Sequence, residues 1–252
     1  MPFVSLAARR IEYRMIPGGL GSRPLVFLHE GLGSVGLWRD FPARLGNATA
    51  RRVVAFSRYG HGQSDPPLKP RTPKFMHEEA FEVLPQVLDS IGPVVLVGHS
   101  DGASIALLYA ARHPVEGVVA IAPHVFVEPM CLEEIRNAKH VYEHHDLKRR
   151  MARHHRDPDA AFYGWNDVWL DPEFPTWDIR PELQAITAPL LLIQGTQDQY
   201  GTLAQLDEIE RNTSAPVKRV HVDAQHAPHH ERPAETLDAI DRFVTGLPSG
   251  GT

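Results

Sequence analysis

A single cysteine, Cys131, stands in a chain of 252 residues. It excludes an intrachain disulfide framework and any cluster of cysteine metal ligands. Positive charge is in deficit: 26 Lys plus Arg against 31 Asp plus Glu leave a net charge of -5 with histidine neutral. A basic face for nucleic acid is therefore not expected. Long apolar runs are missing as well. No stretch approaches the roughly 18 residues of a membrane helix, and Arg9 and Arg10 interrupt the N-terminal apolar stretch well short of a signal-peptide core. The expectation is a soluble cytoplasmic protein with no membrane partner, in which the sequons at Asn47 and Asn212 carry no weight. Gly (19) and Pro (22) are frequent but aperiodic, which excludes collagen-like and low-complexity readings.

What remains is ordinary for a globular enzyme: 42% hydrophobic and 23% charged residues, enough chain for one core with an insertion. Short apolar runs at Pro24–Leu28, Val53–Phe56, Pro93–Val97, Val118–Ala122 and Pro189–Ile193 lack polar alternation, as parallel strands covered on both faces do. Helical patterns at Glu78–Ile91, Ser100–Arg112, Leu203–Arg211 and Pro233–Leu247 alternate with them. This rhythm predicts an α/β fold with a mostly parallel twisted sheet flanked by helices. Residues 127–182 break it. They hold no buried-strand run, three of the four tryptophans and a dense charged stretch, Arg136–Arg156, and they read as a helical insertion over one sheet edge.

The sharpest local signal is Gly98-His99-Ser100-Asp101-Gly102, between the run PVVLV and the helical pattern ASIALLYAAR. A G-x-S-x-G on a strand-to-helix turn lifts the serine hydroxyl above the C-terminal edge of the sheet, where open α/β sheets bind ligands. Serine needs a base, and the base an orienting acid. Asp198 follows the strand PLLLI within Gln194-Gly195-Thr196-Gln197-Asp198, and His226 follows a short apolar run at Val220–Val222. Three elements thus converge on one sheet edge. His229 and His230 rival His226 as the base, and Glu128, after the strand VVAIA, rivals Asp198 as the acid.

With His29-Glu30-Gly31-Leu32-Gly33 after the first strand run, then Arg58–Ser64, the serine turn, the acid loop and the tail from His226 to Pro233, the order resembles that of the α/β-hydrolase family. The resemblance implies a core of residues 1–126 and 183–252 with a helical cap at 127–182. It also implies a serine hydrolase that uses no cofactor or metal on a small-molecule substrate. Ser100 would be the nucleophile, Asp198 the orienting acid and His226 the base. The backbone N–H groups of Asp101 and Gly31 would form the oxyanion hole. A small carboxylic ester, thioester or lactone is the expected substrate; carbon–carbon hydrolysis of a ring-cleavage product is the runner-up, and the sequence sets no oligomeric state.

Two acids depart from the family pattern. Glu30 stands where glycine is usual, and Asp101 where an apolar residue or Gln is usual. The preferred account of Asp101 is a helix cap favoured by the dipole; the alternative is recognition of a cationic or hydroxyl-bearing substrate, a role also assigned to Glu30. Trp165 and Trp169, spaced i,i+4 on one helical face, either pack on the core or roof the pocket. Gly31-Leu-Gly33-Ser-Val-Gly36 matches a dinucleotide fingerprint but lacks the acid some 20 residues on, so an NADP-dependent reductase ranks low, as does a non-catalytic receptor of this fold. His140, His144, His145, His154 and His155 sit among arginines and read as a solvated face rather than a metal site.

Overall fold

The computed structural model describes residues 2–6, 9–19, 22–89 and 91–248. Its centre is a sheet of β1 (Phe3–Leu6), β2 (Arg9–Ile16), β3 (Leu25–Leu28), β4 (Val53–Phe56), β5 (Val95–His99), β6 (Gly117–Ile121), β7 (Leu190–Gly195) and β8 (Val217–Val222). Every residue of β3, β4, β5, β6 and β7 is buried, the outcome that their unbroken apolar runs demand. β8 differs. Its solvent-facing positions carry Lys218 and His221, which discourage further pairing on an edge that, among the described residues, pairs with β7 alone.

The strand order is β1-β2-β4-β3-β5-β6-β7-β8, antiparallel in the first two pairings and parallel afterwards. The chain steps from β3 outward to β4 and then returns to β5 on the other side of β3. Such a reversal opens a crevice beyond the strand ends. Leu28 pairs with Gly98, so the loops that leave β3 and β5 emerge side by side.

Helices cover both faces: α1 (Phe41–Thr49), α2 (Phe75–Glu78), α3 (Leu84–Leu88), α4 (Asp101–Ala110), α5 (Pro129–His144), α6 (Leu147–Met151), α7 (Pro158–Trp169), α8 (Arg180–Leu183), α9 (Ala204–Asn212), α10 (Pro228–Glu231) and α11 (Pro233–Thr245). The helix expected from Glu78 starts three residues earlier, at Phe75, and passes through a widened π segment, Glu79–Val83, between α2 and α3. All ten residues of α4 are buried, which suits its nearly all-apolar sequence and makes it the central pillar behind the serine turn.

Between β6 and β7 the chain is helical, as expected. Asp157 caps α7 by accepting the Ala160 N–H at 2.9 Å. α5 and α7 are joined by the Asn166 side chain donating to the Ile135 carbonyl and by Tyr142 stacked on Phe162 at 3.8 Å. Phe126 bridges Asp178, and Ile179 N–H donates to the Val125 carbonyl, so the segment leaves and rejoins the core at one place.

Candidate active site

Ser100 sits at φ 53°, ψ -121°, a conformation that a residue bearing a side chain rarely adopts and that costs about 1–3 kcal/mol. The neighbours hold it there. Ser100 N–H donates to the Ile121 carbonyl, and its own carbonyl accepts from Ala103 and Ser104 N–H. The glycines on either side are steric necessities. A Cβ at Gly98 would collide with the Gly102 carbonyl and Ala103, and one at Gly102 with the Leu28 and His29 carbonyls.

Ser100 Oγ–H lies 3.0 Å from His226 Nε2 and donates to it. His226 Nδ1–H donates to Asp198, 2.8 Å from Oδ2 and 3.0 Å from Oδ1. That pairing selects one tautomer, with the Nε2 lone pair turned to the serine. Asp198 also accepts from Tyr200 N–H and the Gln194 amide. Burial pushes its carboxyl up, but His226 and the Tyr200 N–H outweigh burial and hold it below the usual carboxylate range. Such a hydroxyl–imidazole–carboxylate relay is able to deprotonate an alcohol for attack on an electrophilic carbon.

The rivals have other occupations. Glu128 accepts from Thr202 N–H, Thr202 Oγ1–H and Gln205 Nε2–H, binding the start of α5 to α9. His229 is buried against Trp38, Phe41 and His99, and burial drives its pKa well below that of a free histidine. His230 is half-buried beside it.

The loop after β3 is held by buried side chains. The Glu30 carbonyl accepts from His29 Nδ1–H at 2.7 Å, from Arg58 Nη2–H at 3.0 Å and from Gly33 N–H at 3.1 Å. Arg58 Nη1–H also donates to the His29 carbonyl. In a trans peptide the C=O and N–H point in opposite directions, so these bonds aim the Gly31 N–H away from Arg58. Among the described residues neither the Gly31 nor the Asp101 N–H has an acceptor. Nothing in the sequence announces this structural role of Arg58, although it opens the motif Arg58–Ser64.

A cavity of about 270 Å³ opens over Ser100 and is lined by Glu30, Gly31, Asp101, His124, Trp165 and Trp169, among others. Trp165 and Trp169 are buried in the main apolar cluster and also line this cavity, so the two alternatives set out for them do not exclude each other. A Cβ at Gly31 would run into the Trp165 indole. Glu30 Oε2 lies 3.6 Å from His99 Nδ1, and His99 Nε2–H donates to the His226 carbonyl. Burial alone would raise the Glu30 carboxyl; His99 outweighs it and holds the carboxyl far below the usual range.

Two sequence expectations require correction. Asp101 is the first residue of α4, but its side chain makes no capping hydrogen bond; it turns into the cavity wall instead. His155 is not on a solvated face. It is buried, accepting from Gly62 N–H at Nδ1 and donating to the Leu32 carbonyl from Nε2. Of the other histidines of the group, His140, His144 and His145 are exposed and His154 is half-buried, and among the described residues no cluster of three His, Cys, Asp or Glu side chains is arranged to hold a metal. The glycine-rich loop leads into a single 3₁₀ turn, Val35–Trp38, not into the long helix whose N-terminus a pyrophosphate would need. Among the described residues no helix is long and apolar enough to cross a membrane.

Comparison with known proteins gives a consistent picture. A family model described as the alpha/beta hydrolase family matches residues 25–239. The chain is 25% identical to an sn-1-specific diacylglycerol lipase of Danio rerio, over 93% of this chain and 82% of that protein. It is 27% identical to a 2-(acetamidomethylene)succinate hydrolase of Mesorhizobium japonicum, over 89% of each. Some other curated relatives, such as the sn-1-specific diacylglycerol lipase of Mus musculus (31% identical), are matched over less than half their length. Among solved structures, the enol-lactonase of Burkholderia xenovorans LB400 superposes with a TM-score of 0.76 at 21% identity, covering 97% of this chain and 100% of that one.

Proposed function

The chain belongs to the alpha/beta hydrolase family and is a hydrolase, and from that premise we propose that it cleaves a small carboxylic ester, thioester or lactone through an acyl-enzyme on Ser100. The observation that carries this reading is the relay Ser100–His226–Asp198 at 3.0 and 2.8 Å. Ser100 Oγ attacks the substrate carbonyl while His226 Nε2 takes its proton. His226 then delivers that proton to the leaving oxygen or sulfur, and water, activated by the same nitrogen, releases the acid and restores the serine. Asp198 holds the imidazole tautomer and balances the imidazolium that forms.

The tetrahedral oxyanion is received by the N–H groups of Asp101 and Gly31, each worth about 3–4 kcal/mol in such sites. The first lies at the N-terminus of α4, whose dipole favours negative charge. Residues 127–182 serve as the cap, with Trp165 and Trp169 excluding water from the acyl site. Carbon–carbon hydrolysis would use the same relay, and an ester panel separates the two.

The test is labelling with a fluorophosphonate followed by turnover of short-chain p-nitrophenyl esters. Ser100 should be the labelled residue, and Ser100→Ala should lower turnover by at least about 10⁴-fold with the melting temperature retained. Labelling elsewhere, or turnover surviving in Ser100→Ala, refutes the proposal.

A further inference from the structure

Asp101 is 1% exposed, and both of its carboxylate oxygens lack a hydrogen-bond partner. This is unusual, because a buried acceptor left unpaired is costly to the fold. Asp101 is a lining residue of the cavity over Ser100. Four further buried polar atoms of residues lining the cavity are unpaired: Trp169 Nε1–H, a donor, His124 Nδ1, His99 Nδ1 and Gln199 Oε1. Burial holds His124 neutral, with its pKa lowered to about 3, so its ring is free to donate or accept. Cys131, Ile135 and Trp165 make up apolar stretches of the wall, and Glu30, Gln199 and His226 add polar ones.

The charge around Asp101 narrows what it can take. Arg58 Nη2 lies 4.0 Å from Asp101 Oδ2, and both side chains are 1% exposed. Arg71 and the nearby Trp169 N–H, which stands short of hydrogen-bond geometry, act on the carboxyl in the same sense; burial pushes the Asp101 pKa up, against the pull of all three. The negative charge of Asp101 thus already faces cations of the protein, and a cation placed against it would meet Arg58 and Arg71 as like charges, even though Glu30 lines the same cavity. What is unmet at Asp101 is hydrogen bonding rather than charge. A neutral group that donates to the carboxylate and accepts from Trp169 fits that need; a hydroxyl does both. A long alkyl chain fits it poorly, since it would cover these polar atoms without pairing them, and a cavity of about 270 Å³ is small for one.

We infer that the Asp101 side chain is a specificity-determining group, taking a hydroxyl on a short acyl chain, so that the preferred substrates are small hydroxy-acyl esters or lactones rather than long-chain lipids. The inference rests on Ser100 as the nucleophile. It makes the acid after the nucleophile a reader of the substrate, while its backbone N–H keeps its place at the oxyanion.

The experiment compares p-nitrophenyl esters of equal size in which a hydroxyl replaces a methyl: 3-hydroxybutanoate against 3-methylbutanoate, and 2-hydroxypropanoate against 2-methylpropanoate. Each kcat/KM is divided by the ester's hydroxide-catalysed rate to remove intrinsic reactivity. The unsubstituted enzyme should favour the hydroxyl by about 10- to 100-fold in at least one pair. Asp101→Leu should bring that ratio to one or below. Asp101→Asn, whose amide oxygen still accepts, should retain a ratio above one. If Asp101→Leu does not fold, Asp101→Ala takes its place. A ratio of one or less in both pairs for the unsubstituted enzyme, or a ratio indifferent to Asp101→Leu or its replacement, overturns the inference. Fluorophosphonate labelling of Ser100 in the same preparations separates the two levels: label and turnover with a flat ratio sink the inference alone, whereas no label at Ser100 removes both.

Discussion

His155, in the stretch between α6 and α7, donates from Nε2 to the carbonyl of Leu32 at 2.9 Å and accepts the Gly62 N–H at Nδ1. One neutral imidazole from the helical segment after β6 therefore ties together the loop after β3 and the loop after β4. Both of its nitrogens are used, and only one tautomer satisfies them. The loop that contains Gly31 is thus held from below by Arg58 and from above by the segment that covers it.

Loss of this tie should act on the chemical step more than on binding. His155→Ala is expected to lower kcat on short esters by about 10-fold, with KM changed less than threefold, because an oxyanion donor displaced by a fraction of an ångström weakens the transition state selectively. Steady-state kinetics decides it; a rise in KM at constant kcat would mean that His155 shapes the pocket instead.

Asp198→Asn keeps the shape of the acid but turns a donor toward His226 Nδ1. The imidazole would then present Nε2–H to Ser100, the wrong tautomer for a base, and turnover should fall by about 10⁴-fold. Fluorophosphonate labelling should slow in parallel. A variant within tenfold of the parent would return Glu128 to consideration as the acid.

The neighbouring histidines should part company on mutation. His226→Ala is expected to match Ser100→Ala in severity, since the relay acts as a unit. His229→Ala leaves a cavity against Trp38 and Phe41 and should cost about 2–3 kcal/mol of stability, while Ser100 stays reactive to the phosphonate below the melting transition. Loss of labelling in folded His229→Ala would contradict the assignment.

Stability should fall on mild acidification. His29, His61, His124 and His229 are all held below the ordinary histidine value, by burial first in each case. Below about pH 6.5 the unfolded chain takes up protons that the folded chain refuses, so each group removes up to about 1.4 kcal/mol per pH unit as pH drops toward its folded value. Asp198 and Glu30, both held down, lose their contribution only below the carboxylate range; Asp101 and Glu79, raised by burial, work in the opposite sense. Urea titrations at pH 7.5, 6.5 and 5.5 should show this decline, and a flat profile would contradict it. His61→Leu should shallow the slope by about one proton, because neither ring nitrogen of His61 has a partner to lose.

Trp165→Ala should change both stability and selectivity. The indole packs in the core cluster and also abuts Gly31 over Ser100. A loss of about 3–5 kcal/mol is expected together with a shift toward bulkier acyl groups. An unchanged ester profile with a lowered melting temperature would assign this side chain to packing alone.

Much of this protein was legible in its residue order. The apolar runs at β3 to β7 are buried on both faces, so their strands could be read without tertiary information, and Gly98–Gly102 carries its turn geometry in the small residues that the turn requires. Asp198 and His226 could be placed at strand ends for the same local reason. β1 and β2 passed unread, since an antiparallel edge that is part-exposed leaves only a weak alternation. Arg58, His155 and the unpaired carboxylate of Asp101 lay beyond sequence reasoning for a different cause. Each owes its role to what stands opposite it across 20 to 130 residues of chain, and polar side chains have no periodicity that announces a buried partner. Periodicity and turn chemistry are properties of neighbours along the chain, so the sequence determined the sheet, the serine turn and the order of the relay. Which histidine meets the serine, and which acid comes to line the cavity beside it, depends on distances of a few ångströms between segments that only the packed fold brings together.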